Sequence, residues 1–270
     1  MAKLLAGGEL ADFVKERQAR QVRNLRQEYK IFPRLAIVVT EPSPVIETYM
    51  RLKKRYGEDI LIDVDVYRET MESVAERIVA LNSDSSVHAI IVQLPLHDTS
   101  RTDEVVSLVA PKKDVDGLGS DEYFTPATAL AIQWLLAGYN VDVDRKKLLI
   151  VGNGRLVGAP LAHLWQRSGL SPRVVDSSVK DLATEVTKAE VIITATGTPG
   201  LITSAMVQPK TVLVDAGTAS EDGKIVGDLA ADIYERDDIK VTPAKGGVGP
   251  LTVAALFDNV IQAARLEIEK

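Results

Sequence analysis

The chain contains no cysteine. Disulfide frameworks, cysteine-liganded zinc, iron–sulfur clusters and thiol nucleophiles are therefore excluded, and the absence suits a cytoplasmic protein. Histidine is nearly as scarce. His88, His97 and His163 form no H-x-x-x-H pair, so no metal site is expected and none of the three is given a role. Aromatic residues make up only 5%, and basic residues (32) are outnumbered by acidic ones (38), for a formal net charge of −6. With no basic stripe, nucleic acid is not an expected partner. No apolar run reaches the ~18 residues of a membrane span. The opening Met1-Ala2-Lys3-Leu4-Leu5-Ala6 leads at once into charged residues, without the apolar stretch of a secretory signal. What is present is 270 residues, 46% hydrophobic and 26% charged. That composition builds a globular core, and the length corresponds to about two domains.

Hydrophobic periodicity predicts an α/β protein. Residues 9–30 read as a charged helix anchored by Leu10, Phe13 and Val14. Strand signals at Leu35–Val39, Leu61–Val66 and Val87–Val92 alternate with helical spacing over 45–56, stopping at Gly57, over 70–82 and over 102–110. A second series begins after Pro126 with a helix to about Gly138. It continues with strands at 146–151, 172–175, 191–195 and 211–215, and a helix over 156–168. Alternation of this kind argues for mostly parallel pairing. The predicted division is a catalytic domain over 1–120 and a Rossmann-like nucleotide-binding domain over 121–251. A last helix, about 252–270, is expected to pack back on the first domain.

The loop Gly152-Asn153-Gly154-Arg155-Leu156-Val157-Gly158 follows a strand and opens a helix. Glycine permits the tight turn and the close approach of backbone N–H groups to a pyrophosphate, and the helix N-terminus adds partial positive charge. The G-x-G-x-x-x-G spacing is one residue longer than the common fingerprint, and a tight turn with a packing glycine also accounts for it. Asp176 ends the next strand, 24 residues after Gly152. A carboxylate there accepts from both ribose hydroxyls of NAD and repels the 2′-phosphate of NADP. A helix cap or a solvated loop acid is the alternative. Arg155 and Arg173 are nearby cations able to hold a phosphate.

Tyr49 and Lys53 lie four apart on a predicted helix and so share a face. A lysine facing an apolar cleft has a lowered pKa and can move protons. Gln93-Leu94-Pro95-Leu96 follows a buried strand, Lys113-Asp114-Val115-Asp116-Gly117 lies between the two series, and Lys245-Gly246-Gly247-Val248-Gly249-Pro250-Leu251-Thr252 precedes the last helix. In this order, from about Leu35 to Ala264, these segments resemble the bifunctional methylenetetrahydrofolate dehydrogenase/methenyltetrahydrofolate cyclohydrolase family.

The resemblance implies a folate cleft between the two domains. It implies oxidation of 5,10-methylenetetrahydrofolate with NAD or NADP, hydrolysis of the methenyl product to 10-formyltetrahydrofolate, and a homodimer. Matched residue by residue, Lys53 is the essential lysine, Tyr49 the tyrosine at the reacting ring, Gln93 the lysine's partner and Asp116 the acid that holds the pterin. Leu94, Pro95, Gly247, Pro250 and Leu251 complete the folate contacts. Gly152, Asn153, Gly154, Arg155, Leu156, Val157, Asp176, Ser177, Thr196, Gly197 and Thr218 are the candidate nucleotide contacts. The chemistry is consistent with these side chains. Hydride loss leaves an amidinium-like cation that water attacks without a metal, an uncharged Lys53 assists proton removal, and Asp116 orients the pterin.

The chain departs from the family pattern in four places. Ile46 replaces a serine three residues before Tyr49, Ala127 and Ala129 alter a P-C-T-P segment, Lys245 replaces a proline, and Asn153-Gly154 replaces Arg-Ser. The missing loop arginine and the presence of Asp176 both favour NAD. A dehydrogenase without cyclohydrolase activity is the alternative. A non-catalytic folate or nucleotide binder leaves the Tyr49–Lys53–Gln93 grouping without purpose, and a hydroxy-acid dehydrogenase leaves Q-L-P-L and K-D-V-D-G unexplained.

Overall fold

Strands and helices alternate along almost the whole chain in the computed structural model, which describes residues 3–119, 123–221 and 224–268. The first part runs β1 (Lys3–Leu4), α1 (Gly7–Glu28), β2 (Arg34–Val39), α2 (Pro44–Asp59), β3 (Asp63–Arg68), α3 (Val74–Ser83), β4 (Ala89–Gln93) and α4 (Thr102–Val106). Then come α5 (Ala127–Gly138), β5 (Leu148–Val151), α6 (Gly158–Arg167), β6 (Arg173–Val175), α7 (Leu182–Lys188) and β7 (Val191–Thr194). The chain continues with β8 (Val212–Asp215), β9 (Ala219–Glu221), β10 (Lys224–Val226), β11 (Lys240–Val241) and α8 (Val248–Arg265). Among the described residues no helix is long and apolar enough to cross a membrane.

The chain divides into two units, each drawn from separate segments. One comprises Met1–Ala11 with Thr128–Thr252, the other Asp12–Ala127 with Val253–Lys270. In the second, β3-β2-β4 form a three-stranded parallel sheet. β2 and β4 are buried almost throughout, as strands of a parallel sheet covered by helices must be. Helix α1 presents Gln18, Ala19, Val22 and Leu25 to this unit's interior. Buried Gln18 donates to the Ala254 carbonyl of α8 (2.8 Å) and accepts from the Tyr56 hydroxyl (2.8 Å), which satisfies its amide inside the core. Phe13, expected to anchor this helix, is 68% exposed, because the buried stripe follows Ala11, Gln18, Val22 and Leu25.

The other unit carries a six-stranded sheet in the order β1-β11-β8-β7-β5-β6, with every pairing parallel. β5 and β7 are wholly buried, built of Leu, Ile and Val but for Thr194 at the end of β7. The strand order reverses at β5: α6 leads from β5 to β6 on one side, and α7 carries the chain from β6 back past β5 to β7 on the other. A doubly wound sheet opens a crevice at that point, above the carboxyl ends of its strands.

Several boundaries differ from those read in the sequence. The sequence reading placed residues 1–120 in one domain. Residues 3–11 belong instead with the six-stranded sheet, because Lys3 and Leu4 pair with Lys240 and Val241. Gly57 does not end α2. Its missing side chain lets Val64 Cγ2 and the Ile62 carbonyl approach, which an added Cβ would meet at 2.6 and 2.7 Å. The following strand begins at Asp63 rather than Leu61, since Leu61 adopts the left-handed conformation (φ 66°) of a turn. α8 begins at Val248 rather than Thr252, with Pro250 in its first turn, where a proline sacrifices no helical hydrogen bond.

Candidate active site

The Asp12–Ala127/Val253–Lys270 unit builds its site at the carboxyl end of β4 and on α2. Ser43 starts α2 by accepting from Ile46 N (3.2 Å), with Pro44 in the first turn. Ile46 itself is 4% exposed and packs inside. Tyr49 and Lys53 then follow one turn apart, both half-buried. Gln93, the last residue of β4, is level with Val39 of β2. Lys53 Nζ donates to Gln93 Oε1 at 2.9 Å, and Gln93 Nε2 donates to the Leu94 carbonyl at 2.9 Å. The second bond fixes which end of the amide faces the lysine: an oxygen.

Asp116 reaches the same place by a strand-like segment. Ile90 bridges Asp114 in parallel, and Ile90 N donates to the Lys113 carbonyl at 2.7 Å. Residues 113–116 thus run alongside β4 toward its carboxyl end. Buried Asp114 closes the turn beyond by accepting from Gly117 N (3.1 Å) and Gly119 N (2.8 Å). Lys53 and Asp116 sense one another. Burial lowers the pKa of Lys53, and the Asp116 charge pulls it partly back. Burial raises the pKa of Asp116, and the Lys53 charge opposes the rise. Desolvation thus favours a neutral amine. Burial also raises the pKa of the Tyr49 phenol. The structure brings together Lys53, Gln93 and Asp116, with Tyr49 one turn away. Leu94 is half-buried and Pro95 exposed beside them.

In the other unit the glycine loop leaves β5 into α6. Gly152 (φ 103°) is buried, and a Cβ on it would lie 2.4 Å from the Ala195 carbonyl oxygen. A Cβ on Gly158 would lie 1.8 Å from the Gly152 carbonyl oxygen, whereas nothing lies within 4 Å of one on Gly154. Gly152 and Gly158 therefore close the turn, and Gly154 leaves open space at the helix N-terminus, a cradle that fits a pyrophosphate. Asn153, Gly154, Arg155 and Leu156 are exposed and Val157 half-buried. Thr196, Gly197 and Thr218 are exposed on the loops after β7 and β8, and Gly197 (φ 67°) approaches the Thr218 carbonyl closely.

Asp176 follows β6. Its Oδ1 accepts from Ser178 N (2.9 Å) and Ser178 Oγ (2.6 Å), which lowers its pKa and keeps it ionised at neutral pH. It borders a depression of about 480 Å³ whose charged lining is Arg173, Lys180, Asp181, Glu185 and Asp176 itself. Arg173 Nε is bonded to Glu185 Oε2 at 3.0 Å. Acids outnumber bases in this lining, so the field there disfavours an added phosphate. Of the loop before α8, Gly247 is buried and Pro250 half-buried in the first helical turn. Leu251 is fully buried.

Sequence reasoning assigned no role to Asp114, Asp215 or Asp228. All three carboxylates accept from backbone N–H groups. No local pattern marked them, and only Asp228 adjoins a glycine, Gly227.

A glycine cradle at the reversal point of a parallel sheet, with a half-buried, desolvated lysine on a separate α/β unit, defines a dinucleotide-dependent enzyme. Comparison with known proteins specifies it. Residues 5–116 match the tetrahydrofolate dehydrogenase/cyclohydrolase catalytic domain, and residues 126–268 match the NAD(P)-binding domain of the same family. The bifunctional protein FolD of Exiguobacterium sibiricum is 33% identical over 98% of this chain and 100% of its own length. The FolD structure from Campylobacter jejuni is 32% identical with a TM-score of 0.92, covering 99% of this chain and 100% of that one. FolD of Trypanosoma brucei, solved with NADP and an inhibitor, is 26% identical with a TM-score of 0.93, covering 100% of this chain and 99% of that one. The chain belongs to the tetrahydrofolate dehydrogenase/cyclohydrolase family.

Proposed function

We propose that Lys53, Gln93, Asp116 and Tyr49 carry the chemistry of both family activities in this chain, and that NAD is the preferred cofactor. The chain oxidises 5,10-methylenetetrahydrofolate and hydrolyses the methenyl product to 10-formyltetrahydrofolate. The observation that carries the residue assignment is the 2.9 Å bond from Lys53 Nζ to Gln93 Oε1 in a desolvated setting beside Asp116.

The nucleotide, when bound, supplies the hydride acceptor. The residues of this chain do the rest. Asp116 orients the pterin by accepting from its donors, and Tyr49 offers a ring face to the reacting ring. Once the methylene carbon has lost hydride, the ring carries a positive charge, and water bonds to that carbon. A neutral Lys53 takes a proton from the attacking water. The carbon–N5 bond then opens as N5 receives that proton back from the lysine, and the remaining hydroxyl proton is released to solvent as the C=O of the N10 formyl group forms. Gln93 Oε1 holds the lysine nitrogen in place through both protonation states.

The sign of the pH dependence follows. The active lysine is deprotonated, so hydrolysis rises with pH through the Lys53 pKa, which burial places below the usual lysine value, and is lost as pH falls through it. Asp116→Asn removes the charge that holds the proton on Lys53. The acid limb of the kcat profile should therefore move to lower pH, alongside weaker folate binding. A limb that stays put or moves to higher pH would contradict this coupling.

The preference for NAD rests on ionised Asp176 and the acidic balance around it. A spectrophotometric assay with 5,10-methylenetetrahydrofolate and each nucleotide reads both activities: methenyl absorbance appears and then decays. NAD should give the higher kcat/KM, and Asp176→Ser should shift the NAD/NADP ratio toward NADP by about tenfold or more, a difference of ~1.4 kcal/mol. A wild-type preference for NADP that this change leaves unmoved would refute the assignment. The homodimer belongs to the same proposal and is supported by the family resemblance; a single-chain mass in sedimentation would overturn it.

A further inference from the structure

In the nucleotide-binding unit the loops after β5, β7 and β8 meet at the carboxyl edge of the sheet, and two carboxylates lie beneath them. Asp228 is completely buried. Its Oδ2 accepts from Thr196 N at 2.7 Å and its Oδ1 from Thr198 N at 2.9 Å. Both donors belong to an exposed turn, Thr196-Gly197-Thr198. Asp215, at the end of β8, interlocks with it. Asp215 Oδ1 accepts from Gly217 N (3.0 Å), Asp228 N (3.1 Å) and Thr194 Oγ1 (3.2 Å), and Oδ2 accepts from Leu229 N (3.1 Å). Asp215 N donates to Thr242 Oγ1 at 2.9 Å, at the head of the loop that leads into α8.

Two glycines make the fit possible. A Cβ on Gly217 would lie 2.1 Å from Asp228 Oδ1, and one on Gly227 would lie 2.1 Å from Asp215 Oδ2. Burial raises the pKa of the Asp215 carboxyl. The N–H groups of Asp228 and Leu229 oppose that rise, and the neighbouring Asp228 charge adds to it. Burying a carboxylate is costly unless donors replace its water. Here the donors of Asp228 come from a turn at the surface. A turn needed only to connect two strands does not require a buried charge beneath it.

We propose that Asp228 is a positioning residue for the dinucleotide. It holds the Thr196–Thr198 turn in the shape that receives the nucleotide, and Asp215 ties that turn to Gly217–Thr218 and to Thr242. The inference rests on the reading of Thr196, Gly197 and Thr218 as nucleotide contacts. A carboxylate is required because both oxygens accept from N–H groups. An amide in its place turns an NH2 toward one of the two donors, which forces the turn to move.

The test is Asp228→Asn in the full-length enzyme, with KM for NAD, dehydrogenase kcat, KM for the folate and cyclohydrolase rate measured together. KM for NAD should rise by about tenfold or more, the scale of a lost, charge-assisted contact. The folate KM and the cyclohydrolase rate, which need no nucleotide, should stay within about twofold of wild type. Asp228→Ser, which removes the charge and leaves room for water, should show the same separation and serves if the asparagine variant does not fold. An unchanged KM for NAD in a folded variant overturns the proposal. So does a parallel fall of both activities, or failure of both variants to fold, because each marks a purely structural role. Gly158→Ala, measured beside them, separates the two levels. If it raises KM for NAD and Asp228→Asn does not, the positioning role fails alone. If neither does, the nucleotide reading fails.

Discussion

Lys53→Met should lower hydrolysis of 5,10-methenyltetrahydrofolate by about 10²–10⁴-fold, the range that a positioned general base contributes. Methionine keeps much of the length and apolar bulk of lysine, so the half-buried site stays filled. What disappears is the one nitrogen that can hold the water's proton beside Gln93. Gln93 retains its bond to the Leu94 carbonyl, so its amide does not need to flip. The nucleotide contacts lie on a different unit, and NAD affinity should stay within about twofold of wild type, a change under ~0.5 kcal/mol. Decay of methenyl absorbance gives the rate and isothermal titration the affinity. Hydrolysis within about twofold of wild type would remove Lys53 from the mechanism.

Gly158→Ala should do the reverse, weakening nucleotide binding by about 10²-fold while the cyclohydrolase persists. The Cβ would lie 1.8 Å from the Gly152 carbonyl oxygen, well inside van der Waals contact, and the obstacle is backbone rather than a side chain that can rotate away. The end of β5 and the start of α6 must separate. A shift of ~1 Å in such a loop is enough to cost about 10²-fold in a positioned interaction. Overpacking of this kind destabilises by ~1–3 kcal/mol, which corresponds to a lower Tm by about 2–4 °C per kcal/mol in a chain of this size. Scanning calorimetry and NAD titration check both halves. Wild-type affinity with an unchanged Tm would mean that the close approach at Gly158 is not required.

Legibility in the sequence depended on how much each feature relied on local pattern. The buried runs of β2, β4, β5 and β7 announce themselves because a strand covered on both faces must be apolar throughout. Helical spacing singled out Tyr49 and Lys53 and a strand end singled out Gln93, whereas the pairing of Gln93 with Lys53 and the role of Asp116 were implied by the family resemblance. The fold adds the 2.9 Å Lys53–Gln93 bond and the desolvation around it. Short strands were not legible. β1 and β11 have two residues each, too few for any periodicity, and β9 and β10 form a three-residue hairpin ladder. Pro250 suggested a loop where it sits in the first turn of α8, and Gly57 suggested a stop where it lets Val64 approach. Phe13 misled because hydrophobicity alone does not say which face a helix buries. Asp215 and Asp228 could not be found from pattern, since their significance lies in backbone N–H groups brought to them by other loops.

The pairing of Lys3 with Lys240 joins residues from nearly opposite ends of the chain. Without β1, β11 would be the edge of the six-stranded sheet, with its N–H and C=O groups open to any passing strand. The cover is short, two residues, and carries a lysine, a residue type that discourages edge-to-edge association. It also imposes an order on assembly. Closing a loop of that length costs chain entropy before its hydrogen bonds form. On the ribosome the protective strand is the first part of the sheet to emerge, and it waits for almost the whole remaining chain before it has anything to cover.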